Sequence, residues 1–247
     1  NEEYRPPFYG HISFVNLTRH LISPFTTGYE GTAIESLYPS NTDMFRLARQ
    51  QGALTAYVHP YSGNADPLQG DLGGAKGFPV DAALGTVDYQ EQSAASWADY
   101  LVWHHALNNG FRIPLAGGED SITNLSKTRI VGQMRVYAYL GPQLNWQGWL
   151  DAMASGRSFV TNGPLLKLKI NDQIAGEVIN LPAEGGIIHA RGIVRSIVPL
   201  EQADLVVNGK RLSLGRLDQH RDTLGDGTFF VFDKEIEFKQ SSWVTLQ

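Results

Sequence analysis

The 247-residue chain contains no cysteine. That one absence excludes disulfides, thiolate metal sites and a cysteine nucleophile. Any metal must then be held by His, Asp and Glu, the ligand set for zinc, manganese or iron in a hydrolase. Runs of Lys and Arg are also missing. The net charge of -5 and a pI near 5.8 argue against a general nucleic-acid binder, which would normally show a basic face, and leave local basic patches open. No apolar stretch approaches the roughly 20 residues that span a bilayer. There is no internal repeat, no GxSxG elbow, no Walker A loop and no GxGxxG turn, which argues against serine acyl transfer and P-loop nucleotide hydrolysis. The first residue is Asn1 and no signal peptide is visible, so the sequence reads as a processed or truncated chain.

What is present is a hydrophobic content of 42% against 18% charged residues, enough for one large domain or two ordinary ones. Gly10 to Leu17 reads as a short apolar strand. An irregular stretch with Pro24, Gly28, Gly31 and Pro39 follows to about Ser40, and loops this long are often functional. Asn41 or Thr42 is the expected N-cap of a helix to Gln51, with Met44, Phe45, Leu47 and Ala48 on its apolar stripe and Gly52 as its stop. Ala53 to Val58 reads as a buried strand ending on His59-Pro60. Further strands are expected at Gly85 to Tyr89, Ile113 to Ala116 and Arg135 to Leu140, and helices at Ser93 to Asn109 and Asn145 to Ser155. This alternation indicates an α/β domain with parallel strands. After Pro164 the texture becomes β-branched and alternating, with Asn208-Gly209 as a hairpin signal. The reading divides the chain into residues 1–163 and a small all-β sandwich-like domain at 164–247.

Three places carry candidate chemistry. His59 follows a strand and precedes a proline, so its backbone is expected to be extended with the ring projecting from the strand end. There it reads either as a neutral-imidazole metal ligand or as a structural His bonded to a loop carbonyl. Asp120 follows Gly117-Gly118-Glu119, where glycines allow a sharp turn near a ligand. It reads as a carboxylate ligand or as a turn cap. Glu2-Glu3 with His11 is the third place, and Glu119 is ambiguous between the site and solvent. His104-His105 are helix neighbours that point in different directions, as packing or surface residues. His20, His189 and His220 have no supporting pattern.

The ordered segments are Glu2-Glu3-Tyr4-Arg5, Tyr9-Gly10-His11, Ala56-Tyr57-Val58-His59-Pro60, Gly77-Phe78-Pro79-Val80-Asp81, Gly85-Thr86-Val87-Asp88-Tyr89, Leu107-Asn108-Asn109-Gly110-Phe111-Arg112-Ile113-Pro114, Ala116-Gly117-Gly118-Glu119-Asp120-Ser121, Val131-Gly132-Gln133-Met134-Arg135-Val136-Tyr137 and Ser155-Gly156-Arg157-Ser158-Phe159-Val160-Thr161-Asn162-Gly163-Pro164. Together they resemble the carbaryl-hydrolase-like (CehA/McbA-like) metallohydrolases of the PHP superfamily. The resemblance implies a PHP-type distorted (β/α) TIM-like barrel, incomplete at its N-terminus, over residues 1–163, with a β-rich extension after it. It implies two or three divalent ions (Zn, Mn or Fe) in a complete parent, with Glu3, His11, His59 and Asp120 as ligands and Glu3 as the bridging carboxylate. Metal-activated water would attack a small carbamate, ester or phosphoester. The chain departs from the family by lacking a His-x-His motif and the first strands, and by having Ile122 where many members continue Asp-x-His.

A phosphoesterase reading would use basic residues such as Arg5, Lys127 and Arg129. The alternative to an enzyme is a degenerate non-catalytic PHP-like module that binds a ligand or glycan through Tyr61, Trp97 and Trp103, or else those aromatics are core. The expected partner is a small-molecule substrate, with no nucleic acid and no membrane, and a homo-oligomer is compatible. The resemblance and the lack of cysteine favour a periplasmic or secreted bacterial protein over a cytoplasmic one.

Overall fold

The computed structural model describes residues 2–6, 8–22, 37–70, 72–93, 96–122, 129–222 and 225–247. Pro24, Gly28, Gly31 and Lys127 lie outside them. The first sheet joins β1 (Glu2–Tyr4), β2 (Ile12–Val15), β3 (Leu54–Tyr57), β4 (Tyr89–Ser93) and β5 (Leu115–Gly118) in that spatial order. Strands β1, β2 and β3 pair antiparallel, and β3, β4 and β5 pair parallel. The helices are α1 (Asn41–Arg49), α2 (Phe78–Ala83), α3 (Trp97–Asn108) and α4 (Trp146–Ala154). A two-stranded ribbon, β6 (Arg135–Ala138) with β7 (Ser158–Thr161), lies beyond β5.

The expected TIM-like (β/α) barrel is therefore corrected. Among the described residues four separate sheets form, with five, four, three and two strands, and none closes into a barrel. A TIM-like barrel needs every strand to be parallel to the next and joined to it by a helical crossover. Here only β3 to β4 and β4 to β5 have that form, through α2 and α3, while β1 to β2 is an antiparallel pair joined by residues 5–11. Short apolar strands have the same composition in either direction, so the sequence texture could not report this.

Helix α1 shows how local chemistry sets the first layer. Its N-cap is Ser40, one residue before the expected cap, and a capping box links Ser40 with Asp43. Asn41 is thereby released to the interior, where its amide donates to the Gly10 carbonyl and to Tyr57 Oη. Met44, Phe45 and Ala48 pack with Phe14, Tyr57 and Phe78 in the main core. Inside this core Asp81, 2% exposed, accepts hydrogen bonds from Tyr57 Oη, Thr42 Oγ1 and Thr86 Oγ1. Asp81→Ala strands these hydroxyls, and the expected loss is about 3 kcal/mol in urea unfolding; a loss near zero would mean that the network contributes nothing.

From residue 165 onward two sheets face each other. One holds β12 (His220–Arg221), β13 (Thr228–Phe238), β9 (Gly186–Ser196) and β8 (Leu165–Ile170), and the other holds β11 (Lys210–Ser213), β10 (Asp204–Val207) and β14 (Val244–Leu246). Ala190, Leu205, Phe230 and Phe232 form the centre of the core between them. The β10–β11 hairpin turns on Asn208 (φ 50) and Gly209 (φ 81), both in the left-handed region as a type I′ turn requires.

This β-structure docks on α3. His104 lies against the Trp243 ring at 4.9 Å, its Nε2 is 3.3 Å from Gln247 Nε2, and Trp243 Nε1 donates to Asn108. Burial, with His105 and Arg211 nearby, pushes the His104 imidazole down to about 4. A base with a depressed folded pKa binds fewer protons folded than unfolded. Stability is therefore lost as pH falls from about 6.5 towards 4, on the order of 2 kcal/mol by pH 4.5. His104→Gln is expected to flatten that part of the stability–pH curve measured by denaturation; an unchanged slope would assign it to other groups. No helix among the described residues is long and apolar enough to cross a membrane.

Candidate metal centre

The site forms where one end of the antiparallel β2–β3 pair meets β1. Ile12 pairs with Tyr57, so β2 begins at the end where β3 stops. His11 precedes β2, His59 follows β3, and the Val58 N–H donates to the His11 carbonyl. Glu3 sits mid-strand on β1, opposite Ser13. The two imidazole rings meet edge to face at 4.8 Å.

Three donor atoms converge. Glu3 Oε1 is 3.3 Å from His11 Nδ1 and 3.3 Å from His59 Nε2, and the two nitrogens are 3.4 Å apart. A tetrahedral ion about 2.0–2.1 Å from each donor keeps its ligand atoms about 3.3–3.4 Å apart, which is the observed triangle. Octahedral coordination at the same bond length brings neighbouring ligands to about 3.0 Å. The residues present therefore offer a divalent cation three converging donors, two imidazole nitrogens and a carboxylate oxygen.

The electrostatics are consistent with that geometry. The His11 and His59 rings against its oxygen, aided by Arg5, hold the Glu3 carboxyl down to about 2. The bond to Glu3 raises His59, as do the carboxylates of Glu91 and Asp120. Arg5 Nε lies 3.4 Å from Glu3 Oε1 and donates to His11 Nδ1 at 3.3 Å. A cation on the triangle takes the His11 lone pair, so Arg5 must give up that bond.

His59 itself departs from the extended backbone expected before a proline: its φ is 33, in the left-handed region. Its N–H donates to Glu91 Oε2 at 3.1 Å, and this contact fixes the turn that aims the ring at Glu3. Strain of this kind is concentrated at functional sites. Asp120, two residues beyond β5, is also left-handed, at φ 50. It stands outside the three-donor triangle but close enough for its charge to act on both His59 and Glu91. Glu119 turns to the loop instead, accepting from the Gly132 and Met134 N–H groups, and Arg129 donates to the Glu119 carbonyl.

Glu91 escaped the sequence reading because β4 is Tyr-Gln-Glu-Gln-Ser, five buried positions of which four are polar. An apolar pattern placed the strand at Gly85 to Tyr89 instead. Glu91 is 6% exposed, and burial pushes its carboxyl up to about 7. Gly118 makes room for it, since a Cβ there would overlap Glu91 Oε1. One oxygen is tied to His59, and the side chain also borders an apolar cavity of about 310 Å³ walled by Val58, Ala116, Val136, Trp149 and Met153. A second, more polar cavity of about 250 Å³ opens directly on His11 and His59, between Pro6, Phe8 and residues 73–76.

The other candidates have structural roles. His105 pairs with Asp66 at 2.7 Å and His104 packs on Trp243. Tyr61 is buried, with its hydroxyl donating to Ala75, Trp103 is buried with its indole donating to Ile113, and Trp97 lies under Arg211. His20, His189 and His220 lie outside the donor cluster. The chain matches no protein-family model, and no curated protein and no solved structure is significantly similar to it.

Proposed function

We propose that this chain carries the metal centre of a metal-dependent hydrolase acting on a small carbamate, ester or phosphoester. The observation behind the proposal is the Glu3–His11–His59 triangle, whose 3.3–3.4 Å edges match the ligand separations of tetrahedral zinc. The resemblance to carbaryl-hydrolase-like enzymes supplies the reaction class. When bound, a divalent ion supplies Lewis-acid polarisation and a water of lowered pKa.

The chain's own residues divide the remaining work. Glu3 contributes the single negative charge of the ligand set, and His11 and His59 contribute neutral nitrogens. Glu91 holds the His59 main chain, which preorganises that ring. Asp120 adds negative charge at the rim. The 250 Å³ cavity at His11 and His59 suits a small substrate. The alternative of a ligand- or glycan-binding module is weakened, because Tyr61 and Trp103 are packed inside and the part-exposed Trp97 is covered by Arg211.

The proposal is tested by removing metal with a chelator, restoring zinc, and assaying a neutral carbamate, a neutral ester and a phosphomonoester. Zinc-dependent turnover of at least one class is expected. A zinc-loaded chain inert towards all of them would reject the hydrolase reading.

A further inference from the structure

We infer that Lys76 is a specificity-determining residue that holds an anionic oxygen of the substrate beside the metal centre, so that the site favours anionic over neutral substrates. The inference rests on the metal-centre reading, because it names what binds next to His11 and His59. Lys76 lines the same cavity as these two residues. Its ammonium lies 5.0 Å from the ring centroid of Phe8, another wall of that cavity. Arg5, the other cation at the site, is paired with the Glu3 carboxylate. Among the described residues no ion pair occupies Lys76. Its charge is therefore available to a ligand.

The backbone that carries Lys76 is clamped, which separates it from an ordinary surface lysine. A Cβ on Gly74 would lie 2.5 Å from the Pro60 carbonyl, and one on Gly77 would overlap Tyr57 Oη. On the other side, a Cβ on Gly10 would lie 2.6 Å from both Ala75 Cα and the Gly74 carbonyl. The Gly77 N–H donates to the Tyr9 carbonyl and Tyr61 Oη donates to the Ala75 carbonyl. Three places where only glycine fits thus press residues 74–77 against the two segments that deliver His11 and His59. The clamp fixes where the Lys76 stem begins, and its exposed, flexible stem lets the ammonium reach into the cavity as a point charge, the form in which lysine binds phosphate. In a partly desolvated cavity that charge attracts a phosphate or carboxylate oxygen far more strongly than a neutral carbonyl.

The test uses the zinc-loaded chain, Lys76→Gln, Lys76→Arg and the remote control Lys167→Gln. Zinc binding is titrated separately. Inorganic phosphate and acetate are then titrated calorimetrically, and hydrolysis of p-nitrophenyl phosphate is compared with that of neutral p-nitrophenyl acetate. Lys76→Gln is expected to weaken the preferred anion by at least about tenfold and to raise KM for the anionic ester by far more than for the neutral ester, with zinc affinity unchanged. Lys76→Arg should largely restore anion binding, and Lys167→Gln should change nothing. Phosphate weakened more than acetate assigns a phosphoryl ligand, and the reverse assigns a carboxylate. Equal affinity of wild type and Lys76→Gln for both anions overturns the inference while leaving the metal site standing. Lys76-dependent anion binding without turnover of either ester supports the anion site and counts against ester and phosphoester substrates, with the carbamate assay deciding the hydrolase reading. Failure to bind zinc, seen in the separate titration, overturns both.

Discussion

His59→Ala is expected to lower zinc affinity by more than about a hundredfold, because even residues that merely orient a ligand cost 10–100-fold when removed. His59 Nε2 is one corner of a three-donor triangle. Without it the ion keeps Glu3 and His11 alone, and two protein ligands are too few for a stable tetrahedral site. The variant is expected to stay folded. The His59 side chain is 25% exposed, and its tie to Glu91 runs through the main-chain N–H, which alanine retains. Competition with a chromophoric chelator, alongside a thermal melt, reads both quantities. A folded variant with wild-type zinc affinity would show that metal, if held at all, is held elsewhere.

Gly10→Ala is expected to destabilise the chain by at least about 3 kcal/mol, from a side chain forced into the left-handed region plus a backbone overlap. Gly10 has φ 98, and its missing Cβ leaves the space that Ala75 Cα and the Gly74 carbonyl fill at 2.6 Å. Neither atom belongs to a flexible side chain, so relief requires residues 74–77 to retreat from His11. The same movement loosens the Asn41 amide from the Gly10 carbonyl. The loss should therefore appear as weaker zinc binding as well as a lower urea midpoint. Wild-type stability in Gly10→Ala would mean that the packing of residues 74–77 on Gly10 does not constrain the site.

Much local structure was legible because side-chain chemistry acts within a few residues. Asn208-Gly209 marks its hairpin, Asn145 caps α4, and the alternating texture after Pro164 is strand, as in β8 and β13. The convergence of Glu3, His11 and His59 was expected from the family resemblance alone, since no spacing rule links positions that meet only through sheet pairing. Strand direction was not legible, and the barrel was lost with it, because β2 and β3 are as apolar as a parallel pair would be. Glu91 was hidden by a buried strand made of polar residues, whose satisfaction depends on distant partners such as Asp99 for Gln90 and Ser93. The left-handed turn at His59 was hidden for the same reason. It is imposed by a carboxylate 32 residues away in sequence, overriding the local preference set by Pro60. Lys76 resembles any exposed lysine until the glycine contacts around it are seen.

Zinc binding by Glu3, His11 and His59 is read most directly by elemental mass spectrometry of the zinc-reconstituted, gel-filtered chain together with X-ray absorption at the zinc edge. One zinc per chain is expected, with two imidazole nitrogens and a carboxylate oxygen at about 2.0–2.1 Å. Zinc lost on gel filtration, or a coordination shell without imidazole, would contradict it.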